Sequence, residues 1–247
     1  MTLGTLLKWY RHFSNEVTLP VTSADYMDAT TLLQMGYQMY ARKTMCFPVG
    51  YTLAATPGTA IYSYGDFGEE VVPATNPVTY DGAGSRLFKL SLVAFDSKPL
   101  VCKSRPQMDT ESANTWRWNS TGTPHNWIPW GERQIRLTPA PNVASNIFIE
   151  GWETPDLADF AEAADEPLIE ETDCLLIAMY AAAVPQLRDA QSELELASTI
   201  FGPRIIEGWK NARKRIHGSE NTDIIFGRYS SVQPRVGRMS DSITNIT

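Results

Sequence analysis

Residues 146–184 read NIFIEGWETPDLADFAEAADEPLIEETDCLLIAMYAAAV, and a change of pattern within this stretch decides the fold. The first seven residues are rich in β-branched and aromatic side chains and partly alternate, which predicts a strand. Residues 174–184 are apolar on every side of a helix, which predicts a helix buried between neighbours. A strand region therefore ends near residue 152, and a helical region follows it.

The helical region continues towards the C-terminus. Pro167 is expected in the first turn of the buried helix, ahead of acidic residues that suit a helix N-terminus, and Pro185 is expected to kink or end it. Ser192 and Glu195 have the spacing of the next helix cap, and Gly202-Pro203 predicts a break. The last helix then carries an apolar stripe, formed by Ile205, Trp209, Ala212 and Ile216.

Helices also precede the strand region. Residues 29–40 carry an apolar stripe at helical spacing, and Thr22 and Asp25 have capping-box spacing ahead of it. Gly36 lies within this stripe, where it either permits a close contact between helices or is simply tolerated. A shorter helix is expected at residues 3–13.

Between residues 46 and 152 the apolar pattern is that of short strands. Turn signals such as Pro57-Gly58 and Asp81-Gly82 divide the region, and no helix of crossover length separates the strands, so an antiparallel arrangement is predicted. The predicted strands cover residues 59–64, 87–92, 100–103, 134–137 and 146–152.

This order of elements predicts an α+β fold. The helices must bury their apolar stripes against another element, and each other is the simplest partner. The expected parts are a discontinuous helical bundle of residues 1–45 and 156–218, an inserted antiparallel β domain of residues 46–155 that forms a small sandwich, and an extended C-terminal arm of residues 219–247.

Composition and charge restrict the class of protein. The chain of 247 residues has 43% hydrophobic and 20% charged residues, which is typical of a globular protein. A net charge of -7 argues against a general nucleic-acid binder but allows a protein that DNA merely passes. The three cysteines are widely spaced, which indicates a reducing compartment. With neither a signal-peptide pattern nor an apolar run of membrane-spanning length, we expect a soluble protein that is cytoplasmic when made.

We expect that the protein is not an enzyme. The three histidines lie in different segments, and the sequence has neither a Gly-rich phosphate loop nor a nucleophile elbow, so we expect no catalytic residue, metal or cofactor. An acidic stretch has three interpretations: a solvated linker, paired carboxylates of a glycosidase-like hydrolase, or a surface that faces a DNA channel and repels phosphate. Its residues are Glu153, Asp156, Asp159, Glu162, Asp165 and Glu166.

A group of tryptophans leaves two interpretations. Exposed indoles form platforms for sugars, so a carbohydrate-binding module or a glycan-active protein is an alternative function. Buried indoles instead belong to a core or to a subunit contact, which suits their large apolar area. The residues are Trp116, Trp118, Trp127 and Trp130.

The C-terminal segment combines apolar and basic side chains. Exposed apolar groups gain nothing until they are buried, so we interpret the segment as an arm that orders against a partner. Packing onto the protein's own helices is the alternative. The candidate contact residues of the arm are Ile224, Ile225, Phe226, Arg228, Tyr229, Val232, Arg235 and Arg238.

Four segments follow one another in an order that points to a known family. They are Gly122-Thr123-Pro124, residues 135–141, residues 147–157, and Asp165-Glu166-Pro167 before a helix of small apolar residues. In this order they resemble phage adaptor proteins of the head-to-tail connector class. The resemblance covers residues 22–216, and the β region is longer here than the family pattern leads us to expect, with residues 65–85 as an extra loop.

The resemblance implies a structural virion protein of the head-tail interface. Such a protein forms a dodecameric ring that docks on the portal, binds tail, nozzle or tail-fibre proteins, and surrounds DNA without sequence-specific contact. The C-terminal arm would reach into the portal, and the ring would close by heterologous contacts between subunits. The implied role is a passive conduit for genome ejection that is assembled in the host cytoplasm, with no membrane partner.

Overall fold

The computed structural model describes residues 1–14, 29–71, 79–112, 115–117, 120–187 and 192–218. The helices in these ranges are α1 (Leu3–Ser14), α2 (Ala29–Thr44), α3 (Arg105–Ser112), α4 (Glu171–Ala183), α5 (Glu193–Ala197) and α6 (Gly202–His217). The strands are β1 (Pro48–Ala54), β2 (Ile61–Ser63), β3 (Glu70–Val71), β4 (Thr79–Tyr80), β5 (Leu87–Phe95), β6 (Lys98–Pro99), β7 (Val101–Cys102), β8 (Thr121–Gly122), β9 (Asn126–Pro129), β10 (Gln134–Thr138), β11 (Ala140–Pro141) and β12 (Asn146–Glu153).

Helices from both ends of the chain share one apolar core. The central helix is α4, which packs against α1, α2 and α6. Cys174 and residues 176–183 are all buried, so the predicted burial of this helix around its circumference is confirmed. Across the core, the ring of Trp209 on α6 lies 5.6 Å from that of Tyr180.

Gly36 sets the distance between α2 and α4. A Cβ atom on this residue would lie 2.8 Å from the carbonyl oxygen of Ile177, closer than atomic contact permits. Only a residue without a side chain lets the two helix backbones approach this far. Of the two interpretations of Gly36, the close helix contact is confirmed.

Helix starts differ in how closely they follow the sequence pattern. The Ser192 side chain accepts a hydrogen bond from the backbone N–H of Glu195 and caps α5, as predicted. The prediction that Pro167 lies in the first turn of α4 is wrong, because that helix begins only at Glu171. The chain first makes a tight turn, in which the N–H of Ile169 donates to the carbonyl oxygen of Pro167 at 2.8 Å. The cap predicted for α2 at Thr22 and Asp25 lies outside the described residues.

The apolar stripe of α6 is shorter than predicted. Its first three residues are buried, but Ile216 is 41% exposed, so the prediction for this residue is wrong. His217 makes the contacts of the last turn instead. Its Nε2 lies 2.9 Å from the carbonyl oxygen of Thr44, and its ring packs edge-on against Trp152 on β12.

Eight of the strands in the described ranges form two four-stranded sheets, with the orders β1-β12-β5-β6 and β2-β10-β9-β7. Both sheets bury side chains in one shared core, with Val93 and Ile149 from the first sheet and Tyr62 and Ile135 from the second. The predicted α+β class is therefore confirmed, with two sheets enclosing a core as in a small sandwich.

All five predicted strands are present, with ends that differ by a few residues from the prediction. The sequence pattern missed β1, which contains Pro48 and Gly50 and therefore has low strand propensity. These residues are tolerated because β1 is an edge strand: its ladder partner is β12, and on its other side the described residues add only an isolated bridge between Thr52 and Gly68. The expected loop at residues 65–85 contains the short β3–β4 pair, and residues 72–78 of it lie outside the described ranges.

The prediction of a wholly antiparallel strand region is wrong at two places. The short strands β7 and β9 pair in parallel, and so do β8 and β11. Parallel neighbours need a crossover connection between them. Between β7 and β9 the unpredicted helix α3, eight residues long, lies in that connection.

Candidate functional site

The acidic segment, residues 153–166, leads from the end of β12 across the helices towards α4. Phe160 anchors the segment to the helical core, because its side chain is fully buried and its ring lies 5.1 Å from that of Tyr37. The backbone carbonyls of Ala163 and Asp165 accept hydrogen bonds of 3.0 and 2.8 Å from the first residues of α1. The segment is thus held against α1 and α2, with most of its polar side chains outward.

Two of the predicted acidic residues are paired within the fold. Arg86 donates to Glu153 at 3.3 Å and to Asp156 at 2.8 Å. The Tyr51 hydroxyl also donates to Glu153, at 2.6 Å, and burial together with this hydrogen bond raises the pKa of Tyr51 to about 12. These two carboxylates therefore tie the end of β12 to the residues before β5.

The other four acidic residues lie nearer the surface. Asp165 accepts hydrogen bonds of 2.9 and 2.6 Å from the backbone N–H groups of Ala161 and Glu162, and Glu166 lies 3.7 Å from the N-terminal amine. Asp159 and Glu162 are exposed and make no ion pair within the described ranges. Exposed negative charge is therefore concentrated on Asp159, Glu162 and Glu166.

A buried carboxylate on α4 links three helices. Asp173 is only 6% exposed and accepts hydrogen bonds from the Tyr40 hydroxyl on α2 and from Arg215 on α6. Burial, followed by the bond to Asp173, raises the pKa of Tyr40. Arg215 also pairs with Glu170 at 2.6 Å, so this basic residue near the end of α6 is committed to the fold.

The predicted tryptophan group is largely buried. Trp116 and Trp127 are only 4% and 6% exposed, so neither can offer a ring face to a sugar. Trp130 is partly exposed, and Trp118 lies outside the described residues. At the two buried positions the structure supports a core contact rather than a ligand platform.

The indoles of Trp116 and Trp130 are surrounded by guanidinium groups. The Arg105 Cζ lies 4.2 Å from the centre of the Trp130 ring, and the Arg136 Cζ lies 5.0 Å from the same ring and 5.3 Å from that of Trp116. The Arg117 Cζ is 5.2 Å from the Trp116 ring. Distances of this size are typical of cation–π contacts. We call these five residues, with Asp109, the arginine–tryptophan cluster.

Asp109 is the carboxylate of the cluster. It accepts hydrogen bonds from the Trp116 indole at 2.8 Å and from Arg117 at 3.1 and 2.7 Å. These bonds, first the one from Arg117, lower the pKa of Asp109. The sequence pattern did not indicate this cluster because its residues come from α3, from the turn at residues 115–117, from the position after β9 and from β10. The one available signal was the alternation Trp116-Arg117-Trp118.

Three further predictions concern a metal site, a membrane-spanning segment and the C-terminal arm. No group of three or more His, Cys, Asp or Glu side chains is placed to hold a metal ion within the described part of the chain. None of the helices in the described ranges is long and apolar enough to cross a membrane. The eight predicted arm residues, at positions 224–238, lie outside the described residues.

Comparison with known proteins gives the family. The model of the SU10 adaptor protein family matches residues 1–214, which is most of the chain, so the chain belongs to this family. The resemblance to phage head-to-tail adaptors is thereby confirmed. Membership makes the protein a structural component of a phage virion, which associates with other head or tail proteins. No curated protein matches the sequence significantly.

Proposed function

We propose that this protein is a non-enzymatic head-to-tail adaptor that forms a ring, docks on the portal and links it to the tail. The observation that carries the proposal is the family match over residues 1–214. The ring would be dodecameric and would form part of the channel through which the genome leaves. Portal protein, tail, nozzle or tail-fibre proteins and further copies of the chain are the expected partners, met during assembly in the host cytoplasm.

The arm of residues 219–247 is the proposed portal contact. The arm follows Gly218, the residue that caps the end of α6. Gly218 has a positive φ of 76°, which does not continue the helix. The eight apolar and basic candidate residues of the arm would be covered only when a partner is present. The preceding residues would form the helical bundle, 1–45 and 156–218, and the inserted β domain, 46–155.

The acidic segment is the proposed channel surface. Asp159, Glu162, Asp165 and Glu166 would face the passing duplex and repel its phosphates, so that DNA does not adhere to the wall. Glu153 and Asp156 would contribute less, because Arg86 neutralises part of their charge. DNA would pass without sequence-specific binding.

Exposed apolar side chains on the helical part support contacts between subunits. Leu168, Leu194 and Ile200 are 79%, 84% and 87% exposed. Large aliphatic groups in contact with water are stabilised when a neighbouring subunit covers them. In a ring, each subunit would present two different faces to its neighbours.

Removal of the arm tests the proposal. We expect a chain that ends at residue 218 to fold and to remain soluble but not to attach to portal rings in a co-sedimentation assay. If the arm instead packs on its own helices, the truncated chain will unfold at a lower temperature. Normal attachment of the truncated chain would contradict the proposed portal contact.

Two substituted full-length chains serve as a matched pair. Replacement of Ile224, Ile225 and Phe226 by Ser removes apolar groups that the portal would bury, and we expect attachment to weaken by roughly a hundredfold or more. Replacement of Ser230 and Ser231 by Ala changes the same segment without removing apolar area, and attachment should remain close to that of the unaltered chain.

A further inference from the structure

The arginine–tryptophan cluster has an excess of positive charge in a chain whose net charge is -7. Its one carboxylate, Asp109, is bound by Arg117, and the nearby Glu111 pairs with Lys103. Arg105 and Arg136 make no ion pair with any described residue. Residues 112–120 between α3 and β8 contain no Asp or Glu, so this loop supplies no counterion either.

Arg136 is the most unusual member of the cluster. Only 7% of it is exposed, and its Nη2 donates to the carbonyl oxygens of Trp116 and Arg117 at 3.3 and 3.2 Å. Its Nε is buried and has no hydrogen-bond partner in the described part of the chain. Burial, and then the charge of Arg117, lower the pKa of Arg136. A buried guanidinium group without a counterion costs free energy, which a nearby anion would offset.

The surface of the cluster is accessible to a ligand. Arg105 and Arg117 are exposed, and the guanidinium group of Arg105 lies over the ring of Trp130. A guanidinium group that contacts an indole through one face can still donate its N–H groups to an acceptor. Its planar fork matches the two oxygens of a carboxylate, which gives a stronger bond than a neutral donor would.

We propose that the arginine–tryptophan cluster binds a carboxylate on an acidic segment of a partner protein, with Arg105 in direct contact and Arg136 adding positive charge from beneath, while Arg117 stays paired with Asp109. Only the identification of that partner as another virion protein rests on the proposed function. The binding site itself rests on the geometry of the six residues.

Nucleic acid fits this site less well. Binding of single-stranded nucleic acid uses free aromatic faces on which bases stack, whereas guanidinium groups contact the rings here and Trp116 is buried. Binding to a duplex normally involves several phosphate contacts by Lys and Arg, and two unpaired cations in an acidic chain are few for that purpose. A short acidic peptide needs no more than the cluster offers.

The test is a titration of the full-length protein with a hexaglutamate peptide. Two-dimensional NMR monitors the indole N–H signals at each step of the titration. We expect the signals of Trp116 and Trp130 to shift. Arg105→Gln should weaken binding roughly tenfold, as loss of a charge-assisted hydrogen bond does. The matched control is Arg204→Gln, which removes the same charge from an exposed position on α6 and should leave the affinity unchanged.

Three results would overturn the proposal. The first is the absence of any shift in the two indole signals throughout the titration, and the second is an equal loss of affinity in both variants. The third is tighter binding of a DNA duplex than of the peptide at the same cluster, which would assign the site to nucleic acid. Arg105 is exposed, so its substitution does not threaten the fold. Portal attachment is measured without the peptide, so failure here leaves the adaptor proposal standing.

Discussion

Asp173 shows how one polar residue holds the helical core together. It lies on α4, yet it accepts hydrogen bonds from Tyr40 on α2 and Arg215 on α6. A buried charge is stable only when it is paired and hydrogen-bonded, and this residue meets both conditions. Its partners are more than 40 residues away on either side in the sequence, at positions 40 and 215.

Substitution of Asp173 tests this role. We expect Asp173→Asn to lower the free energy of unfolding by about 2 to 4 kcal/mol, because it removes one partner of a buried pair and leaves the others incompletely satisfied. Urea unfolding, monitored by circular dichroism, measures the change. The slope of the unfolding free energy against urea concentration should stay the same.

The control for Asp173 is its neighbour at position 170. Glu170 contacts the same Arg215, but its side chain is 52% exposed. Exposed ion pairs contribute little to stability, so Glu170→Gln should lower the free energy of unfolding by no more than about 1 kcal/mol. Equal losses in the two variants would show that burial of the carboxylate is not what matters.

Single residues were predictable where the sequence signal is local. The cap at Ser192 follows from its spacing to Glu195, and the break at Gly202-Pro203 follows from the two residue types. The pairing of Arg86 with Glu153 and Asp156 was not predictable, because about 70 residues separate the partners and nothing local marks them. The unpaired Arg136 was missed for the same reason.

At the scale of elements, the contact between α2 and α4 depends on Gly36. We expect Gly36→Ala to destabilise the protein by about 1 to 3 kcal/mol, because the new methyl group would meet the backbone oxygen of Ile177. This loss should appear although alanine favours a helix by about 1 kcal/mol over glycine. Thermal and urea unfolding measure the net effect.

Gly208 on α6 is the matched control. A Cβ atom there would lie 2.6 Å from the end of the Leu176 side chain, which can rotate, whereas the backbone at Ile177 cannot. Gly208→Ala should therefore change stability by less than about 1 kcal/mol. A larger loss at Gly208 than at Gly36 would contradict this explanation of the helix contact.

The strands show which elements periodicity can predict. The pattern identified β5 and β12, whose apolar residues are buried or partly buried, although it did not show the bulge between Glu150 and Gly151. A Cβ atom on Gly151 would lie 2.1 Å from the carbonyl oxygen of Lys89, so this position requires glycine. The strand at residues 100–103 was predicted, but its parallel pairing with β9 was not, because the period of a single short strand does not show the direction of its neighbour. The pair β8–β11 was missed because two residues carry no period.

At the scale of the whole molecule, the order of helices and strands predicted the class of fold because each type of element has its own apolar period. Helices from the two ends of the chain do share a core. The family followed from several weak segments in a fixed order, not from any single motif. Ring size, channel surface and portal contact concern partners, and the folding of one chain leaves no local signal that fixes them.

In the proposed adaptor role, the arm, the acidic segment and the exposed apolar side chains would all contact other parts of one assembly. The most direct test is electron microscopy of the full-length protein mixed with the portal protein encoded with it. We expect a ring of adaptor subunits on one face of the portal, with the acidic segments lining the channel. Portal rings that remain bare, while the protein stays folded and free in solution, would contradict the account.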